Sequence, residues 1–176
     1  LVKDITIIEP EKKLFKILKK NNLKNKIKVK NQIIKNLKKK YDTIIYYDVL
    51  EHIKDDLSEI KNAANKMNKK GCLIFSVPAY QIFYSSFDKS VGHFKRYNKQ
   101  DFIKLEKKTG LKIKKLVYYD SMGFFFLVLN KIFSLKQTNL KNKIYLWNFL
   151  MPISRFIDFF TFNKFGKSLL CVFKKC

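Results

Sequence analysis

The chain has 176 residues, 47% of them hydrophobic, enough to bury the core of one domain and too apolar for an intrinsically disordered segment. Its formal charge of +24 suggests nucleic acid or an anionic surface, yet Arg96 and Arg155 are its only arginines, and arginine is the residue suited to bidentate phosphate or guanine recognition. Lys, Asn, Ile, Phe and Tyr all use A/T-rich codons, so genome bias and lysine's part in solubility account for the charge, and no specific nucleic-acid partner is expected.

In chain order, Asp4 to Ile8 reads as a short strand ending in an acid, unlike the basic and then apolar pattern of a signal peptide. Glu11 to Lys19 carries Leu14, Phe15 and Leu18 at helical spacing, and Ile27 to Val29 is a second brief strand. Ile33 to Lys40 reads as a turn of helix. Thr43 to Tyr47 is continuously branched or aromatic, as expected of a strand covered on both faces. A helix follows over about Asp56 to Met67, with Leu57, Ile60, Ala63 and Ala64 on one side and Lys69-Lys70-Gly71 as its exit. Cys72 to Val77 is an apolar strand stopped by Pro78. A polar loop, Ala79 to Tyr97, leads to a helix over Lys99 to Lys108, and Leu111 to Tyr119 is a strand. Residues 122 to 135 and 143 to 162 read as aromatic helices before a last strand, Ser168 to Phe173. Strands alternating with helices call for right-handed crossovers and a mainly parallel sheet. The expectation is a single domain, 1–176, with a helical cap or insertion at about 121–166.

The longest apolar stretch starts at Gly123 and is broken by Asn130-Lys131, short of the ~20 residues that span a bilayer. Phe124 to Phe126 beside lysines suit peripheral contact with a membrane instead. Cys72, Cys171 and Cys176 are too far apart for a metal spacing or a disulfide ladder; Cys72 and Cys171, in apolar strand patterns, are expected to be buried thiols of a cytoplasmic protein.

Two stretches concentrate chemistry. After the strand ending at Tyr47, carboxylates and an imidazole gather in Asp48, Glu51, His52, Asp55 and Asp56, at the edge where an open parallel sheet binds ligands. Between Gly92 and Tyr97 an imidazole, a guanidinium and a phenol fall within five residues. There Arg96 and Tyr97 suit substrate binding and His93 suits proton handling, or Arg96 clamps the loop by pairing with Asp88 or Glu51.

In order and spacing, IIEP at 7–10, YDTIIYYDVLEHIKDD at 41–56, KKGCLIFSVPAY at 69–80, FDKSVGHFKRYNKQDF at 87–102 and GKSLLCVFKK at 166–175 resemble the class I S-adenosylmethionine-dependent methyltransferases, in their small-molecule branch. The resemblance implies an α/β fold: a Rossmann-like three-layer α/β/α arrangement whose mostly parallel sheet has an antiparallel last strand. It implies S-adenosylmethionine as cofactor and a small-molecule, lipid-linked or sugar-linked acceptor. It assigns Glu9 to the ribose hydroxyls, where a carboxylate accepts two hydrogen bonds. Asn31, Gln32 and Ile33 fall to the adenine, and Asp48, Val49 and Leu50 to the methionine side. His93 or His52 is the candidate base. Glu9 also suits the first turn of the following helix. The family's first strand and glycine-rich turn have no counterpart, so the expectation is an N-terminally incomplete copy that binds its cofactor poorly.

Two alternatives come from other classes. One is a non-catalytic basic module on a membrane surface or RNA. The other is a metal-assisted RNA 2'-O-methyltransferase, since Asp48, Glu51, His52 and His93 resemble the acid, acid, histidine, histidine cluster of some RNA-terminal enzymes. That short pattern occurs widely without a metal, and no metal site is assigned.

Overall fold

Runs of branched and aromatic residues form the strands in the computed structural model, which describes residues 4–21, 27–133 and 140–175. β1 (Ile5–Ile8) and β2 (Ile27–Lys30) pair in parallel as a two-stranded sheet, with α1 (Lys12–Asn21) between them in the chain. A second sheet has the order β3-β4-β6-β5, from β3 (Tyr41–Tyr47), β4 (Met67–Pro78), β5 (Lys112–Tyr119) and β6 (Ser168–Lys174). β3 and β4 are parallel and β6 is antiparallel to both of its neighbours. Parallel pairing requires a crossover, supplied between β3 and β4 by α2 (Asp56–Asn65). The fold is therefore α/β and Rossmann-like with an antiparallel last strand, as the sequence leads one to expect.

The core lies on one face of the larger sheet, where Ile44, Tyr46, Leu73, Phe75, Leu169 and Phe173 meet Ile60 and Ala63 of α2 and Phe102 and Leu105 of α4 (Lys99–Thr109). The Phe75 ring sits 5.1 Å from Tyr46 and 6.0 Å from Phe102. Side chains of the opposite parity on β3 are not covered: Ile45 and Tyr47 are each 64% exposed. The expectation that β3 is covered on both faces is thus met on one. α2 and α4 pack against the other face, and no described helix lies over Ile45 and Tyr47.

Three local expectations are corrected. α2 ends at Asn65, because Met67 is fully buried and pairs with Tyr41, which places Lys69-Lys70-Gly71 inside β4 beside a register irregularity rather than in a helix exit. The helical turn expected over 33–40 shrinks to a 3-10 turn, Ile34–Asn36, that drives Ile34 and Leu37 into the core. Cys171 is buried as expected but Cys72 is half-buried, and both are free thiols.

The loop after β4 holds a 3-10 turn, Gln81–Phe83, and a short helix, α3 (Ser86–Ser90). α5 (Ser121–Phe133) and α6 (Leu140–Phe160) lie between β5 and β6 in the chain. The expected extension of the first of these helices to residues 134–135 lies outside the described residues, as does Cys176. Asp158 of α6 fastens the β5–α5 corner by accepting the backbone N–H groups of Asp120 and Ser121, both at 2.9 Å, and the Ser121 hydroxyl. Asp120 in turn accepts the Gly123 N–H at 2.9 Å.

Candidate active site

At the end of β3 the chain must turn sharply, and Asp48 takes a left-handed conformation, φ 50°, which aspartate tolerates better than most residues. Its N–H donates to the Ser76 carbonyl at 2.9 Å, and burial pushes its carboxyl up against the pull of Lys167, His93 and His52. The following 3-10 turn, Leu50–His52, is anchored by Leu50, which is fully buried. Val49 is exposed beside it. Glu51 is only 1% exposed, and its Oε2 has no hydrogen-bond partner. Burial raises its carboxyl to about 7; Asp48 and Asp88 add to the rise, while the Glu51 backbone and Arg96 oppose it.

The loop carrying His93 is held over this turn by a buried ion pair. Asp88 is fully buried and accepts from Arg96 Nε at 2.9 Å and Arg96 Nη2 at 3.0 Å. It also accepts the Ser85 N–H in a capping box at the head of α3. Burial works to raise the Asp88 carboxyl, but bonds from Arg96, His93 and Ser85 and the Arg96 charge outweigh it and hold Asp88 below the usual carboxylate range. Gly92, at φ 84°, supplies a left-handed turn that favours glycine. The Phe94 N–H then donates to the Glu51 carbonyl at 2.8 Å. His93 consequently lies with Nδ1 2.9 Å from Asp88 and its ring 4.6 Å from that of His52, nearly perpendicular to it.

The structure thus brings His52, His93 and Glu51 together and adds Asp88 behind His93. Arg96 and Tyr97, expected to bind substrate, are placed in buried contacts: Arg96 makes the clamp with Asp88, and the Tyr97 hydroxyl donates to the Leu50 carbonyl at 3.2 Å and to Asp56 at 3.1 Å. A second group gathers at the carboxyl ends of β1 and β2. Glu9 accepts the Glu11 N–H on Oε1 at 2.8 Å, the helix-starting role, and Asn31 donates to the carbonyls of Glu9 and Pro10 at 2.8 and 2.9 Å. Gln32 Nε2 is buried without a partner, and Ile33 is 47% exposed. The Glu9 group and the Asp48 group stand on separate sheets. The sequence signal for α3 is the Ser85-x-x-Asp88 spacing, which reads as a capping box once looked for. Asp158 lies in an aromatic helix pattern and gives no comparable signal.

An α/β fold with an antiparallel final strand and a polar cluster at the ends of its parallel strands defines the class I S-adenosylmethionine-dependent methyltransferase fold. The chain belongs to the methyltransferase domain family, whose model, described as "Methyltransferase domain", matches residues 2–116. Among solved structures it is similar to the N-methyltransferase NodS from Bradyrhizobium japonicum WM9 in complex with S-adenosyl-L-homocysteine, at TM-score 0.55 and 13% identity, covering 98% of this chain and 67% of that one. It is similar to the magnesium protoporphyrin IX methyltransferase of Synechocystis PCC 6803 with bound S-adenosylhomocysteine, at TM-score 0.56 and 15% identity, covering 98% of this chain and 64% of that one. A Bacillus halodurans C-125 protein described as a candidate methyltransferase gives TM-score 0.63 at 13% identity, covering 99% of this chain and 84% of that one. No curated protein matches the sequence.

Proposed function

We propose that the protein transfers a methyl group from S-adenosylmethionine to a hydroxyl of a small-molecule or lipid-linked acceptor. The observation that carries this reading is the His52–His93 pair at the end of β3, with His93 held on one nitrogen by the buried Asp88. The residues fit the cofactor: Glu9 is a carboxylate at the end of β1, Gln32 offers a buried amide N–H group without a partner, and Ile33 and Val49 present exposed apolar surface. Glu9 would take the ribose, Asn31, Gln32 and Ile33 the adenine, and Asp48 and the backbone of Leu50 the methionine side. When bound, S-adenosylmethionine supplies a sulfonium-activated methyl group. The solved relatives named with S-adenosylhomocysteine support that choice of donor.

The chain's own task is to align the acceptor and draw off its proton. An ionised Asp88 accepts from Nδ1–H of His93, which leaves Nε2 as the nitrogen able to take a proton or a ligand. The Asp88–Arg96 clamp keeps that ring in place. Acceptor class is suggested by the α5–α6 hairpin, where Phe125, Phe133, Phe149, Phe156, Phe159 and Phe160 are exposed, beside Arg155 and Lys164. No described helix is long and apolar enough to cross a membrane, so a lipid-linked acceptor would be met at the surface of one. The test is methyl transfer from labelled S-adenosylmethionine to hydroxylated small molecules and to lipid extracts, with vesicle flotation alongside. Transfer that His93→Asn abolishes supports the reading; transfer untouched by that substitution refutes it.

A further inference from the structure

We propose that the outer face of α5 and α6 docks on an anionic phospholipid bilayer. α6 is built inside out. Phe149, Ile153, Phe156 and Phe160 follow the spacing i, i+4, i+7, i+11, which gathers them within about 60° of the helix circumference, and they are 43–74% exposed. The Phe156 and Phe160 rings touch, 4.5 Å between centroids. On the opposite side Ser154 and Asp158 are buried. α5 repeats the pattern, with Phe125, Leu129 and Ile132 exposed and Ser121 and Gly123 buried.

Polar bonds fix which way the hairpin faces. Asp158 holds the N–H groups of Asp120 and Ser121, and the Ser154 hydroxyl accepts the Met122 N–H at 3.2 Å and donates to Asp120 at 3.3 Å. Turning α6 to bury its phenylalanines would strip these buried groups of their partners, so the inner face holds the aromatic stripe outward. One further ring is held out against backbone preference: Phe162, just after α6, is 81% exposed at φ 52°, where bulky residues are rarely found. Scattered surface aromatics are ordinary, but a patch of this kind marks an interaction surface.

Charge selects the occupant. Residues 121–167 hold six lysines, Arg155 and a single acid, the buried Asp158. Arg155 and Lys164 are exposed beside the stripe. A second copy would bring basic surface against basic surface with no acid to pair with it, in a chain of charge +24, whereas anionic headgroups answer the charge and acyl chains take the rings. No described helix can cross a bilayer, so the hairpin lies in its interface, about 5–10 Å deep. The other side of α5 grips the loop after β4: Lys131 Nζ donates to the Ile82 carbonyl at 2.6 Å, and the Phe124 ring lies 5.3 Å from Tyr80 and 5.9 Å from Phe83. Docking therefore brings the carboxyl end of β4, where Ser76 binds the Asp48 N–H, close to the membrane. This deepens the reading of a lipid-linked acceptor and rests on it only for what is methylated.

Flotation of the whole chain with vesicles of phosphatidylcholine and phosphatidylglycerol in equal parts tests the surface, against vesicles of phosphatidylcholine alone. Binding to the mixed vesicles is expected, weaker by roughly tenfold or more to phosphatidylcholine and in the double variant Phe156→Ser, Phe160→Ser, which leaves the charge unchanged. Ile45→Ser, at an equally exposed position on the open sheet face, should bind as the wild type does. All three positions are exposed, so the variants keep the fold, as circular dichroism checks. Part of the binding should survive high salt, which removes purely electrostatic attraction. Equal binding to both kinds of vesicle, or binding that the double variant leaves unchanged, would overturn the proposal. So would a concentration-dependent dimer in place of flotation, seen by sedimentation and dissolved by the same substitutions. Labelled S-adenosylmethionine with a water-soluble hydroxylated acceptor in the same samples separates the two readings. Transfer without flotation sinks the surface alone, and flotation lost in the double variant supports the surface even where no acceptor is methylated.

Discussion

Removing either member of the Asp88–Arg96 pair should be among the most damaging single changes at the site. Asp88 is fully buried and Arg96 is 7% exposed, so a lone survivor keeps its charge out of water. Breaking such a pair costs roughly 3–5 kcal/mol, far above the ~0–1 kcal/mol of an exposed pair. For a chain of this length each kcal/mol moves the midpoint by about 2–4 °C, so Asp88→Asn or Arg96→Met should lower Tm by roughly 6–20 °C. The double variant should lose about as much as either single one, because no unpaired charge remains. Its residual loss reports the Ser85 and His93 bonds to Asp88. The sign of the pH effect follows from the depressed Asp88 carboxyl: its contribution is complete above the ordinary value of 3.8 and is lost as pH falls below it. Urea unfolding of the four proteins in the double-mutant cycle, at low and high salt, gives the coupling energy. A coupling below about 1 kcal/mol that disappears in salt would show the pair to be solvated and the clamp argument to be wrong.

Glu9 starts α1 and is proposed to hold the ribose as well, and one comparison separates the two: if it does, Glu9→Ala should weaken S-adenosylhomocysteine binding by roughly 1.5–3 kcal/mol, the value of a charge-assisted hydrogen bond. Glu9→Gln should lose much of that affinity while keeping the bond to the Glu11 N–H, and an unchanged Kd in both would leave Glu9 as a helix start only. Asp158→Ala removes the acceptor for the Asp120 and Ser121 N–H groups, so it should destabilise the protein by about 1.5–3 kcal/mol, read in urea unfolding, and a cost near zero would mean that water replaces it. RNA and DNA binding, followed by fluorescence anisotropy at two salt concentrations, should be weak, sequence-blind and steeply lost with salt. Tight, salt-resistant binding to one RNA would instead favour the RNA-methyltransferase alternative.

The larger part of the fold was legible because strand and helix periodicities do not depend on what covers them. β3, β5, β6 and α4 fall within a few residues of their expected positions, whereas the antiparallel last strand was implied by the family resemblance and not by periodicity. The errors came where pairing partners decide the outcome. Lys69-Lys70-Gly71 has the composition of a helix exit, yet the pairing of Met67 with Tyr41 makes it strand. At the site, proximity in sequence was a poor guide to role. His93, Arg96 and Tyr97 lie within five residues, but the loop divides them, with Tyr97 in the core, Arg96 in a buried clamp and His93 against His52. Asp88 connects these positions, since the same carboxylate neutralises Arg96 and holds His93, so the stability of the loop and the placement of His93 are coupled through one side chain. A substitution at Asp88 therefore cannot be read from activity alone. Arg96→Met is the informative control, because it removes the clamp while leaving Asp88 to hold His93. If His93 acts through its orientation by Asp88 rather than through loop stability, Arg96→Met measured below its lowered Tm should keep the pH profile of the wild type, and Asp88→Asn should shift it.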